Sequence, residues 1–226
     1  MKYSAAIAAI AATTASLALA SCAGGAGSGQ RLKPVANPSE VVATELAFAR
    51  AAREDGQWTA FRKFAADGAL IFGPDGAFEA KPWLSKQKDP EQSVRWQPHA
   101  VWSSCDGTLA VSRVSFVDPG DGTTGVGHTV WQRGKKGEYR WVFDFGWPTR
   151  DIPPPSDMIS AEVAECGPVS TVPDAPSGQR RSADGTLVWG FSYTDEGARN
   201  FTVWAAGAGG TMAPVIEVSL AGGRQR

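Results

Sequence analysis

The sequence predicts an α+β fold: N-terminal helices followed by a long antiparallel meander, with a C-terminal β-strand extension. Helix-spaced apolar residues stop before residue 67, and period-2 runs separated by Gly- and Pro-containing turns then take over. Composition agrees: among 226 residues there are 26 Gly, 15 Pro and 9 Trp, a balance suited to strands and tight turns rather than a helical bundle. The hydrophobic share of 42% is ample for a packed core, which excludes wholesale disorder. A net charge of −1 gives no electrostatic reason to seek nucleic acid.

The N-terminus comes first. Lys2 precedes a small, apolar run from Ala5 to Ala20, which ends in Leu19-Ala20-Ser21-Cys22. The run is too short, and too quickly followed by glycine, for a permanent membrane span, so residues 1–21 read as a secretory signal peptide. Its end resembles the bacterial lipobox. That resemblance implies cleavage before Cys22, a lipidated and acylated (palmitate-bearing) Cys22 held in the bilayer, and, with Ala23 next, an outer-membrane address facing the periplasm. Residues 22–37 form a Gly-rich tether with a reach of about 20–25 Å.

Asn37, Pro38 and Glu40 mark the start of a helix, the carboxylate placed to reach back to the cap. Val42, Leu46, Ala49 and Arg53 keep its period until Asp55-Gly56. Trp58, Phe61 and Phe64 carry a second, short helix. A hairpin around Gly73-Pro74-Asp75-Gly76 follows, then a short helix within 81–88. Strands are expected over 94–104, 108–117, 128–133 and 139–145, closing a domain of residues 38–148. The proline-rich stretch 149–180 reads as a stiff linker with an edge strand around Ile159, Ala161 and Val163. The extension 181–226 adds strands at 186–193, 201–206 and 215–220, and echoes Asp106-Gly107-Thr108-Leu109 in Asp184-Gly185-Thr186-Leu187. Two hairpins with similar turn chemistry explain that echo as well as duplication does.

Cys105 and Cys166 remain after the leader. They are read either as a disulfide, suited to an oxidising periplasm, or as two separate buried thiols, with the disulfide favoured.

Several stretches resemble the nuclear transport factor 2-like superfamily, in its SnoaL-like branch. They are Glu45-Leu46-Ala47-Phe48-Ala49, Gly56-Gln57-Trp58-Thr59-Ala60-Phe61, Trp96-Gln97-Pro98, Ser104-Cys105-Asp106-Gly107 and residues 137–144. The resemblance implies N-terminal helices packed on a curved antiparallel sheet that wraps around the first helix as a cone, an apolar pocket inside it, and homodimerisation through the sheet's outer face. It implies no cofactor, and its members include both enzymes and non-catalytic binders.

Strand alternation places Tyr139, Trp141 and Phe143 on one face with Phe145, and Trp96 and Trp102 on one face of their strand. These residues, with Arg113 and His128, are the candidate pocket lining for a small apolar ligand; the competing reading is a filled core. His128, inside a central strand, is the candidate general base, paired with Asp144 or Arg113, against the reading of a hydrogen-bonded core histidine. Alternation puts Asp144 opposite the aromatic face. Gly120-Asp121-Gly122-Thr123-Thr124-Gly125 precedes a strand rather than a helix, Ser85-Lys86-Gln87-Lys88 stands without companion motifs, and the His and Cys spacing fits no metal site. The leading expectation is a non-catalytic binding or scaffolding module. The alternatives are an acid–base enzyme of the SnoaL-like or ketosteroid isomerase type using His128, and a structural envelope protein.

Overall fold

The computed structural model describes residues 35–154 and 158–222. The signal peptide, Cys22 and the tether up to residue 34 lie outside the described residues.

Helix α1 (Pro38–Glu54) carries proline in its first turn. The expected reciprocal cap does not form. Asn37 Nδ2 donates to Glu40 Oε1 at 3.2 Å, while Glu40 Oε2 accepts from Arg133 Nη2 at 2.9 Å. Helix α2 (Gln57–Phe64) follows Gly56, whose φ of 108° suits glycine alone. Its N-terminus is capped from a distant loop: Asp89 accepts from the Trp58 and Thr59 backbone N–H groups and from Thr59 Oγ1.

Strands β1 (Ala65–Gly73) and β2 (Gly76–Glu79) make the hairpin, and α3 (Ala80–Leu84) follows. An antiparallel meander comes next: β3 (Arg95–Ser103), β4 (Leu109–Val117), β5 (Thr124–Arg133) and β6 (Tyr139–Pro148). Within the proline-rich stretch, β7 (Ser160–Val163) adds in parallel to β3 as an edge strand. The seven-stranded order is β2-β1-β6-β5-β4-β3-β7. A separate four-stranded sheet holds β8 (Gly178–Arg181), β9 (Leu187–Tyr193), β10 (Arg199–Ala206) and β11 (Met212–Leu220). Strand β8 arises in residues that read as linker. The echoed Asp-Gly-Thr-Leu segments occupy equivalent places, at the β3–β4 and β8–β9 turns of two antiparallel meanders.

The larger sheet is covered on both faces. On one, Val41, Phe48 and Ala52 of α1 and Ala60 of α2 pack on Val101, Ala110, Trp131 and Trp141. On the other, Val111, Val130, Phe143 and Phe145 meet Trp189, Phe191, Phe201 and Val203 of the smaller sheet. Burying each such large side chain contributes about 1.5–3 kcal/mol, so both layers are integral to the fold. The face that the resemblance assigns to homodimerisation lies beneath the chain's own second sheet.

Two β-bulges set which residues face which layer. In β3, His99 is bypassed between the Pro98–Val114 and Ala100–Arg113 pairs. In β6, Val142 is bypassed between Trp141–Trp131 and Phe143–Val130. One extra residue exchanges the two faces of a strand beyond it. A disulfide between Cys105 and Cys166, Cα atoms 5.3 Å apart, ties the β3–β4 turn to the segment after β7.

Candidate functional site

Between the helices and the larger sheet lies a cavity of about 280 Å³. Its walls are aromatic: Phe48 from α1, Trp58 and Phe61 from α2, Trp83 from α3, Trp96 from β3 and Phe116 from β4. Phe48 meets Phe61 at 4.8 Å and Trp96 at 4.9 Å between ring centroids, and Trp58 meets Trp83 at 4.9 Å and 89°. Such edge-to-face pairs turn corners, so the rings enclose space instead of stacking flat.

The sheet leaves that space open because glycine replaces side chains on its helix-facing surface. Gly127 and Gly146 border the cavity. A Cβ on Gly125 would fall 2.2 Å from Phe116 Cζ, so only a bare backbone lets that ring lie where it does. Exposed Gly146 and half-buried Val94 and Gly73 border the same space.

Asp144 of β6 lies in the lining, opposite Thr129 of β5, whose Oγ1 donates to Asp144 Oδ2 at 2.9 Å. Burial pushes the carboxyl up to about 7, against the Thr129 hydrogen bond and helped by the nearby Glu45 charge. Glu45 of α1 is fully buried. Its Oε1 accepts from Trp96 Nε1 at 2.9 Å, and its Oε2 from Ser112 Oγ at 2.6 Å and Trp131 Nε1 at 3.0 Å. Burial raises its pKa despite those three donors. The ion pairs among the described residues are Arg62–Asp89, Lys63–Asp55 and Arg133–Glu40, so neither Glu45 nor half-buried Asp144 has a basic partner.

The bulges divide the sequence-predicted lining. Trp96 does face the cavity. Tyr139 and Trp141 share the helix-facing side but are core: Tyr139 Oη donates to Gly107 O at 2.6 Å, and Trp141 Nε1 to Phe61 O at 3.1 Å. Trp102, Arg113, His128 and Phe143 lie on the opposite face, toward the second sheet: Trp102 and Phe143 because the His99 and Val142 bulges reverse the expected parity in β3 and β6, Arg113 and His128 by the regular alternation of β4 and β5 with Val111 and Val130. Phe143 is part of the inter-sheet core. His128 is 3% exposed, between Trp147 at 5.8 Å and Phe201 at 5.7 Å. Burial, with the Arg113 charge, pushes its imidazole down to about 3, so it is neutral at pH 7 and away from the cavity. It lines, with Trp102, Arg113 and Trp147, a groove beside β11. Asp144 is thereby moved into the site from which strand parity excluded it. Sequence reasoning missed Phe48, Trp58, Phe61, Trp83 and Phe116 as lining. The signal lay in the Gly125-Val126-Gly127 run and in an acid flanked by two phenylalanines.

Fold and site together define an α+β protein whose helices and sheet enclose an aromatic cavity with one acid in its lining. No protein-family model and no curated protein matches the chain. Among solved structures it is similar to an NTF-2-like protein of unknown function from Silicibacter pomeroyi DSS-3. The identity is 15%, covering 50% of this chain and 99% of that one, with a TM-score of 0.37. It is also similar to a cystatin-like-fold protein of unknown function from Methylobium petroleophilum PM1. Here the identity is 11%, covering 55% of this chain and 84% of that one, with a TM-score of 0.37.

Proposed function

We propose that this chain is a non-catalytic binding module of the nuclear transport factor 2-like type, SnoaL-like branch, which holds a small ring-bearing molecule under its helices. The observation that carries the reading is the aromatic cavity of about 280 Å³, with Asp144 the one ionisable side chain in its lining. Aromatic walls supply large contact area at low entropic cost, and the few polar groups among them, Gln57, Thr129 and Asp144, orient what they hold. The leader and Cys22 support placing the module on a lipid anchor in the bacterial envelope, at the outer membrane facing the periplasm. A Cys105–Cys166 disulfide suits that oxidising compartment.

Native mass spectrometry of the protein purified from its own host tests this reading. A retained organic mass, released on denaturation, is the expected result. Absence of any retained mass, together with no saturable quenching of tryptophan fluorescence by a panel of small aromatic compounds, overturns it.

One observation favours a second reading, an acid–base enzyme. Its base is Asp144 rather than His128, because a carboxyl titrating near 7 beside an apolar cavity suits proton abstraction at neutral pH. Turnover of a carbonyl compound that Asp144→Asn abolishes, with ligand affinity retained, would select it.

A further inference from the structure

The aromatic enclosure has one half-buried acid, Asp144, in its lining and the buried Glu45 behind its wall, and no ion pair among the described residues gives either a basic partner. We propose that the ligand is an organic cation, an ammonium carried on an apolar or ring-bearing body, seated among Trp58, Phe61, Trp83 and Trp96 with its charge toward Asp144. The proposal rests on the binding reading above and gives that site its ligand class.

Aromatic rings present negative faces, and an ammonium enclosed by several of them is attracted without losing its stabilisation to water. The ring pairs here are oriented for enclosure, Trp58 against Trp83 at 89° and Phe48 against Trp96 at 65°. Glu45 accepts from Trp96, Trp131 and Ser112, so it is engaged within the wall and leaves Asp144 as the acid in the lining. Asp144 Oδ2 accepts from Thr129, and no hydrogen bond to its Oδ1 is seen. An ammonium can form a charge-assisted hydrogen bond with the Asp144 carboxylate that a neutral ligand of the same shape cannot.

The affinity then depends on pH through Asp144. The charged groups on the surrounding elements are disposed as follows. Glu45 on α1 acts on Asp144 and raises its pKa. On α2, exposed Arg62 and Lys63 are engaged by Asp89 and Asp55. Asp67 on β1 is exposed, and Arg140 on β6 donates to Lys63 O. His128 and Arg113 point to the other face of the sheet. An arriving cation therefore meets an Asp144 carboxyl that ionises near neutrality, and binding strengthens as pH rises through that region.

The test uses two probes of similar shape, phenethylamine, protonated below pH 9, and 2-phenylethanol, with binding read by calorimetry on the disulfide-intact protein. The amine is expected to bind about tenfold or more tightly than the alcohol at pH 8. It is expected to weaken toward pH 6 with proton uptake on release, and to lose about tenfold in Asp144→Asn, a larger loss than the alcohol shows. The amine–alcohol comparison on the unsubstituted protein stands even if the variant folds poorly. Equal or tighter binding of the alcohol overturns the cation assignment and leaves the binding cavity intact. Saturable binding of neither probe overturns the assignment, and a simultaneous lack of any retained host ligand removes the binding reading as well.

Discussion

Asp106 and Asp184 exchange hydrogen bonds: the Asp106 N–H donates to Asp184 Oδ2 at 2.8 Å, and the Asp184 N–H to Asp106 Oδ2 at 3.0 Å. The remaining oxygen of each holds its own turn. Asp106 Oδ1 accepts from Ser104 and Thr108, and Asp184 Oδ1 from Ser182 and Thr186. Cys105 N–H donates to Thr186 Oγ1, and Ala183 N–H to Thr108 Oγ1, completing the reciprocity. The repeated Asp-Gly-Thr-Leu segment is thus a clasp between the two sheets.

Replacing either aspartate by alanine is expected to destabilise the protein by about 1–3 kcal/mol in urea unfolding, with a double variant costing less than the sum. Burial works to raise the Asp184 pKa, but the bonds from Ser182, Thr186 and Asp106 outweigh it and hold it low. A depressed folded-state value means the contribution is present above the usual carboxylate range and is lost as pH falls below it. Asp184→Asn should therefore lose less stability than the unsubstituted protein between neutral and strongly acidic pH.

Asp144 has the opposite sign. Its folded-state pKa of about 7 exceeds that of the unfolded chain, so between about pH 4 and 7 the native state retains a proton that the unfolded state has released. Stability conferred by the neutral form is lost as pH rises through that window. Asp144→Asn keeps the partner for Thr129 and removes the titration, and should be about 1–3 kcal/mol more stable than the unsubstituted protein at pH 8. The difference should close near pH 4, as read by denaturant midpoints across pH.

Truncating Glu45 to alanine leaves Trp96 Nε1 without its acceptor, leaves Trp131 Nε1 and Ser112 Oγ with only their bonds to Ser112 Oγ and Thr129 O, and opens a cavity in the core, which should cost about 2–4 kcal/mol. Glu45→Gln is also destabilising, because its amide NH₂ must face one of those donors. Near-ultraviolet circular dichroism of the tryptophans and unfolding midpoints check both.

Reducing the Cys105–Cys166 bond frees a segment with a sequence separation of 61 residues. The chain-entropy relation gives a loss of about 4 kcal/mol. A denaturation midpoint unchanged by reductant would contradict it.

Helix boundaries and most strands are legible because local signals set them: Pro38 and Asp55-Gly56 for α1, Gly134 to Gly137 for the β5–β6 turn. The pocket lining is not legible, for a physical reason. The larger sheet is buried on both faces, so its strands are apolar on both sides and their alternation carries no phase. In Tyr139-Arg140-Trp141-Val142-Phe143-Asp144-Phe145, regular parity aligns four aromatics, yet the Val142 bulge sends two to the helices and two to the second sheet. The same loss of phase at His99 separates Trp96 from Trp102. Pro98 marks the His99 bulge, since proline within a sheet is confined to edges and bulges, but nothing in Trp141-Val142-Phe143 marks the other, and it is the Val142 bulge that brings Asp144 to the cavity.

The sheet laid over Val130, Phe143 and Phe145 comes from the same polypeptide, so its local supply is fixed by the connector and not by how many molecules are present. Folding is then unimolecular with respect to this layer. Dilution, which dissolves a shield borrowed from another molecule, leaves this one in place. A scarce protein built this way closes its own flank as completely as an abundant one.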